Sequence, residues 1–404
     1  MTGAMYAAIA GLKTHMSKMN VIGNNIANVN TNGYKSQRTI FKDAMYTMYS
    51  SGSDGTTTTA GRNPSQIGYG SQISSIDLNM STGTYAPGIS TDCMIYGDGF
   101  FMVGDKNVNI DPLDPDSTKK LSLTRVGDFS FKADGYLSDG NGNAVYGFLV
   151  TGKDEEGKIE VSDQLVAIRL PRMEKVYTSK TDPNNQITQD AYANLGEAAK
   201  ADYTMEYKIQ YPVAESTDGK AIPLEDYTGK VDANAADPDA EPVELPFAQL
   251  DSVTINAETG AITGTSKDTD ELVTIGYLAI GNVTNPNGVS HTEGFYYTAG
   301  DGAGDLQVSM LGGVAEELGI TSVNGSLFAA AAEAAGLDDT TQSQKMLVGS
   351  AGGTNLMTGG LEGSNVDLAS EISELITTQR GYQANTRIIT VTDSMLEELV
   401  NMKR

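Results

Sequence analysis

Two stretches at opposite ends of this 404-residue chain obey one spacing rule. Met5, Ala8, Leu12, His15, Met19, Ile22, Ile26 and Val29 step by alternating threes and fours, and only His15 is not apolar. Leu368, Ile372, Leu375, Gln379, Tyr382, Thr386, Ile389, Asp393, Leu396 and Val400 follow the same rule. This is the a/d spacing of a coiled-coil seam, and it predicts two helices of about 40 Å each. A helix with such a stripe is marginal alone in water and must cover it. The two ends therefore need each other or a neighbouring copy. Expected self-assembly positions are Met5, Ala8, Leu12, Met19, Ile22, Ile26, Val29, Ile372, Leu375, Tyr382, Ile389, Leu396 and Val400.

Charge agrees with pairing. Residues 1–49 hold Lys13, Lys18, Lys35, Arg38 and Lys42 against Asp43 alone, whereas residues 361–404 hold seven acids against four basic residues. Opposite signs on helices of matched period favour association and discourage like-with-like pairing.

Between the ends the period changes to two. All 12 prolines fall between Pro64 and Pro286. Short strands are expected at Ile67–Leu78, Met94–Val103, Leu121–Phe131, Ala144–Val150, Gln164–Leu170, Ser252–Asn256 and Leu272–Ile280, separated by Gly, Asp and Asn clusters. The stretch 151–271 is acidic and proline-bearing and reads as a β-rich domain inserted in a loop of the first. Ser326–Ala335 reads as an alanine-rich helix ending at Gly336. The expected class is a mainly β multidomain protein with discontinuous domains, whose paired N- and C-terminal α-helices form a coiled-coil-like inner domain. The expected division is 1–70 plus 355–404 for that domain and its linker, 71–150 plus 272–354 for a first β domain, and 151–271 for an inserted outer β domain.

Chemical motifs are mostly dismissed. A net charge of −25 repels phosphate, which argues against nucleic acid and anionic membranes. One cysteine, Cys93, and two histidines, His15 and His291, leave little for thiolate zinc or His-based catalysis. Gly152–Lys158 has P-loop spacing, but Ile159 replaces the metal-binding hydroxyl and three acids sit where phosphate would. Asp139, Asn141 and Asn143 open like a calcium loop, yet Ala144 and Val150 occupy the glycine and glutamate positions, so a hairpin turn is expected. No cofactor, metal or catalytic residue is expected. Cys93 reads as a buried small hydrophobe and His15 as an interhelical polar residue that sets register. No apolar run reaches transmembrane length, and the N-terminus lacks the basic then apolar pattern of a signal peptide.

Several stretches together resemble the bacterial flagellar rod and hook axial protein family. Val21-Ile-Gly-Asn-Asn-Ile-Ala-Asn-Val-Asn-Thr-Asn-Gly-Tyr-Lys35 is similar to its N-terminal signature. Gly97-Asp-Gly-Phe-Phe-Met-Val103, Thr124–Phe131 and Ala133–Leu137 are similar to its first β domain. Gly363-Ser-Asn-Val-Asp-Leu-Ala369 and Gln379-Arg-Gly-Tyr-Gln-Ala-Asn385 resemble its C-terminal helix. The likeness covers about residues 1–150, 272–300 and 355–404; residues 151–271 match by position only.

The resemblance implies a structural, non-enzymatic subunit that self-assembles into a bent tube and transmits torque as a universal joint. It implies terminal helices lining an inner layer, with β domains outward. A large insert points to the hook-type members, with the distal rod type as the alternative. Implied partners are further copies of the chain, distal rod and hook–filament junction proteins, a hook cap during assembly and the flagellar export apparatus, with no nucleic acid and no membrane insertion. Implied location is the extracellular part of the flagellum, reached by type III export without a cleaved signal. Residues 305–350 are longer than the connection the family needs. A rival of another class, a secreted β-rich polysaccharide-acting enzyme, would require a carboxylate pair in a cleft.

Overall fold

The computed structural model describes residues 2–55, 57, 60–106, 118–153, 159–162, 165–182, 186–188, 191–192, 194–211, 230–231, 243–244, 246–304, 306–310, 320–322 and 354–402. The expected alanine-rich helix and most of the P-loop-like run lie outside these residues. The protein is mostly strand, with long helices at its two ends, and the chain divides into two compact units: Met1–Thr84 with Gly363–Arg404, and Tyr85–Glu362.

The first unit contains helix α1 (Thr2–Ala27), helix α2 (Leu368–Met402) and strands β1 (Gln37–Asp43), β2 (Tyr46–Ser50), β3 (Ser65–Gly68) and β4 (Ser71–Leu78). Both helices cover their periodic stretches. Helix α1 ends where Asn28 and Asn30 lead to Gly33, whose φ of 71° is the left-handed conformation glycine tolerates best. Helix α2 starts at Asp367, which accepts the Ala369 amide at 3.0 Å and the Ser370 hydroxyl at 2.6 Å. These donors hold its carboxyl below the usual carboxylate range.

The strands form an antiparallel ribbon, β1 on β4 and β2 on β3. The expected single strand Ile67–Leu78 is broken at Gly70, where φ is 102°. That glycine lies against α1: a Cβ there would stand 2.9 Å from the Ala7 carbonyl oxygen.

The second unit holds β5 (Tyr85–Pro87), β6 (Cys93–Tyr96), β7 (Phe100–Gly104), β8 (Ser122–Thr124), β9 (Ser130–Phe131), β10 (Leu137–Ser138), β11 (Ala144–Lys153), β12 (Ile159–Val161), β13 (Val166–Ala167) and β14 (Arg172–Ser179). It continues with β15 (Gln186–Thr188), β16 (Tyr203–Gln210), β17 (Lys230–Val231), β18 (Val243–Glu244), β19 (Leu250–Ile255), β20 (Ala261–Ser266), β21 (Leu272–Val283), β22 (Val289–His291), β23 (Tyr296–Ala299), β24 (Leu306–Met310), β25 (Ile320–Ser322), β26 (Asn355–Thr358) and β27 (Gly360–Glu362). The main path of the large sheet runs β19-β20-β21-β11-β7-β8-β23-β22. A separate three-stranded sheet has the order β15-β14-β16. The core is aliphatic and aromatic: Ile95, Phe101, Phe129, Leu149, Leu278 and Ile280 are buried in it, with the Phe101 and Phe129 rings edge to face at 5.0 Å.

The expected strand Met94–Val103 is two strands. Gly97 and Gly99, at φ 113° and 115°, turn the chain between β6 and β7. Strands β19 and β20, inside the 151–271 stretch, pair through β21 with the large sheet, whereas β14–β16 keep to their own. Cys93 is buried beside Met94 and Ile95, as its sequence context suggests. Residues 138–144 form the expected hairpin turn: the Asp139 carboxylate accepts the Asn141 and Asn143 amides at 3.0 and 2.9 Å, and Ser138 pairs with Ala144.

Candidate assembly surface and polar knot

Helices α1 and α2 run antiparallel. A Cβ on Gly11 would meet the Asn385 amide at 2.6 Å, and one on Gly381 would meet the His15 ring at 2.8 Å. Further along, Lys18 Nζ is 2.8 Å from Glu374 Oε2, and Asn25 Nδ2 donates to Glu371 Oε1 at 2.9 Å. Small and polar side chains thus line this seam.

That seam is rotated from the one the apolar spacing marks. On α2 the less exposed positions are Glu371, Leu375, Thr378, Gly381, Tyr382, Asn385, Ile389 and Thr392. Only Leu375, Tyr382 and Ile389 belong to the expected stripe. On α1, Ala8, Gly11, Thr14, Ile22 and Asn25 are buried, and Met5, Leu12, Met19, Ile26 and Val29 are half-buried. Ile372, Leu396 and Val400 are exposed, at 46%, 37% and 68%. Ile388, Val391, Met395, Leu399 and Met402 are also exposed and follow one another at steps of three and four along another face. Pairing within one chain therefore uses small and polar positions together with part of the apolar stripe and leaves an apolar face uncovered on α2. Glycine and threonine allow close helix approach, which hydrophobic periodicity does not register.

At the end of α1 a network joins three segments. Asn25 Oδ1 accepts from the Tyr34 hydroxyl at 3.0 Å and the Gln37 amide at 3.0 Å, while its Nδ2 donates to the Gln37 carbonyl at 2.9 Å. The buried Lys35 donates to the Ser81 carbonyl at 2.9 Å. Asn365 accepts the Ser36 amide at 2.7 Å and donates to the Asn79 and Ser81 carbonyls at 2.8 and 3.0 Å. The two sequence signatures that resemble the axial family, around Asn25–Lys35 and Gly363–Ala369, thus meet here. Their residue types are explained by this knot: an amide side chain can satisfy several backbone groups where α1 ends and α2 begins.

Burial raises the Tyr34 hydroxyl to about 12, helped by the nearby Glu371 carboxylate and opposed by a hydrogen bond with Asn28. Burial also raises Glu371, against the hydrogen bond from Asn25. His15 is lowered by burial first and by Lys18 second. Asn25, Tyr34, Lys35, Asn365, Gly11 and Gly381 were not among the expected assembly residues. The family-like stretches Val21–Lys35, Gly363–Ala369 and Gln379–Asn385 contain all of them except Gly11.

Among the described residues no group of His, Cys, Asp and Glu could hold a metal ion, and no helix is long and apolar enough to cross a membrane.

The fold and its uncovered helix define a subunit built to associate with others. The families described as "Flagella basal body rod protein" and "Flagellar basal body rod FlgEFG protein C-terminal" match residues 5–35 and 357–402. The chain is 25% identical to the flagellar hook protein FlgE of Treponema pallidum, with all of both chains covered. It is 26% identical to the hook protein FlgE of Salmonella typhimurium over 98% of this chain and 99% of that one. With the basal-body rod protein FlgG of Buchnera aphidicola it shares 30% identity over 49% of this chain and 73% of the relative. The chain belongs to the flagellar rod and hook axial protein family.

Proposed function

We propose that this protein is the structural subunit of the flagellar hook, polymerising into a bent tube that carries torque from rod to filament. The observation that carries the reading is the uncovered stripe Ile388, Val391, Met395, Leu399 and Met402 on a helix already paired through its polar side. Relatives named as hook proteins match along essentially their whole length, as does the basal-body rod protein FlgG of Bacillus subtilis. The size of the 151–271 insert is what favours hook over distal rod. The free ends of the subunit are completed by sister molecules: each helix pair buries its apolar stripe against copies already in place. The positions Met5 to Val29 and Ile372 to Val400 named above are the self-assembly residues of this mechanism. On this reading residues 1–84 with 363–404 form the inner domain and residues 85–362 the outward β region, in which 151–271 is the insert expected from sequence. The subunit has no enzymatic role. It meets the distal rod at one end and the hook–filament junction at the other, grows under a hook cap, and is exported through the flagellar secretion channel. It resides in the extracellular part of the flagellum. Deleting residues 366–404 tests the mechanism: electron microscopy is expected to find no tubes, and normal tubes from the truncated chain would refute it.

A further inference from the structure

Arg125 and Glu362 form an ion pair inside the β unit with side-chain exposures of 0% and 1%, Nη1 to Oε2 at 3.6 Å. Arg125 Nη1 also donates to the Ile95 carbonyl at 3.3 Å and Nη2 to the Gly97 carbonyl at 2.8 Å. Its guanidinium carbon lies 5.5 Å from the Phe100 ring centroid. One side chain therefore holds the end of β6, the turn into β7 and the last residue of β27.

Glu362 closes the β unit, which begins at Tyr85. The chain thus passes out of this unit through β5 and β27, a ladder of three residue pairs: Gly360 with Pro87, Leu361 with Ala86 and Glu362 with Tyr85. Such a ladder is too short to be stable alone. Apolar packing helps little, because Tyr85 is 42% exposed and Leu361 only half-buried. Backbone bonds from Gly88 to the Gly359 carbonyl and from Gly359 to the Asp92 carbonyl continue the ladder, and the Arg125–Glu362 pair adds an ionic anchor at its far end. An apolar pair of similar volume commonly stabilises a core as well as a buried ion pair does. The fork of Arg125 adds direction, since its two terminal nitrogens donate to one carbonyl in β6 and one in the turn that follows it.

We infer that Arg125 is a positioning residue that pins the exit strands β5 and β27 to the sheet through Glu362. In a hook subunit, where force must enter and leave the β unit along these two strands, the pin sets how stiffly the unit is held; that consequence rests on the function proposed above. The pinning itself does not.

Hydrogen exchange on the full-length chain, wild type against Glu362→Gln and Arg125→Lys, tests it. Expected is exchange in β5 and β27 faster by at least tenfold in both variants, with β7, β11 and β21 unchanged. Arg125→Lys keeps the charge and loses the fork, so it separates pinning from burial of charge if Glu362→Gln fails to fold. Unaltered exchange in β5 and β27, or equal acceleration across the whole sheet, overturns the inference. Polymers of Arg125→Lys are then expected to form tubes of altered curvature. Absence of tubes from the wild type would count against the hook reading while leaving the exchange result intact.

Discussion

Gly381 on α2 faces the His15 ring on α1 so closely that a Cβ at Gly381 would lie 2.8 Å from Cε1 and 2.9 Å from Nε2. On its other side the ring meets Phe41 edge-on, with centroids 6.2 Å apart. The half-buried imidazole thus lies between a helix and a strand.

Gly381→Val is therefore expected to weaken the helix pair by about 1–3 kcal/mol through overpacking. Gly23, in the exposed part of α1, has nothing within 4 Å of a built Cβ. Gly23→Ala should stabilise by up to about 1 kcal/mol from helix propensity alone. Thermal unfolding followed by helical circular dichroism compares them, and equal effects of the two substitutions would contradict the close packing at Gly381.

His15 makes the pairing sensitive to acid. Its folded-state pKa lies below the usual 6.5 because burial and Lys18 disfavour the cation. The folded protein thus binds fewer protons than the unfolded chain, so the His15 contribution is complete above pH 6.5 and is lost as pH falls from there through its lower folded value. Glu371, raised by burial, acts with the opposite sign: its contribution favours the fold in acid and is lost as pH rises from 4.5 through its folded value. Between pH 7.5 and 5.5 the wild type should lose more stability than His15→Gln. Parallel pH profiles for the two proteins would remove His15 from the account.

Asn25 faces a carboxylate with its amide nitrogen. Asn25→Asp keeps the shape but sets a second carboxylate oxygen near Glu371 Oε1, now 2.9 Å from Nδ2. A loss of about 1–3 kcal/mol is expected, from an unmet partner and like-charge contact in a part-buried site. Glu371→Gln should restore part of that loss by offering a donor. Urea denaturation of both single variants and the double variant gives the coupling, and purely additive effects would show that the two side chains do not act together.

The uncovered face of α2 separates folding from assembly. Val391 and Met395 are each 48% exposed in the single chain. Val391→Lys with Met395→Lys should leave monomer stability within about 0.5 kcal/mol, as for ordinary surface changes. Sedimentation should nevertheless show polymerisation abolished. Tubes formed at wild-type concentrations would mean that this face is not part of the assembly surface.

Much of this protein is legible from its residues in order. The existence and extent of both terminal helices follow from apolar spacing, because a stripe repeating every three and four residues can be buried only in a helix. The β character of the middle follows from Gly, Asn and Asp turns around alternating strands, and Cys93 reads correctly as a core residue. Which face of each helix meets the other was decided by tertiary structure alone. Spacing measures how apolar a face is, whereas close approach depends on how small it is, and Gly11, Gly381 and Thr378 win that contest over Ile372 and Val400. The breaks at Gly70, Gly97 and Gly99, the joining of β19 and β20 to the large sheet, and the meeting of Asn25 with Glu371 likewise needed the folded chain. Each depends on a partner distant in the chain or on a backbone angle that residue type permits but does not compel.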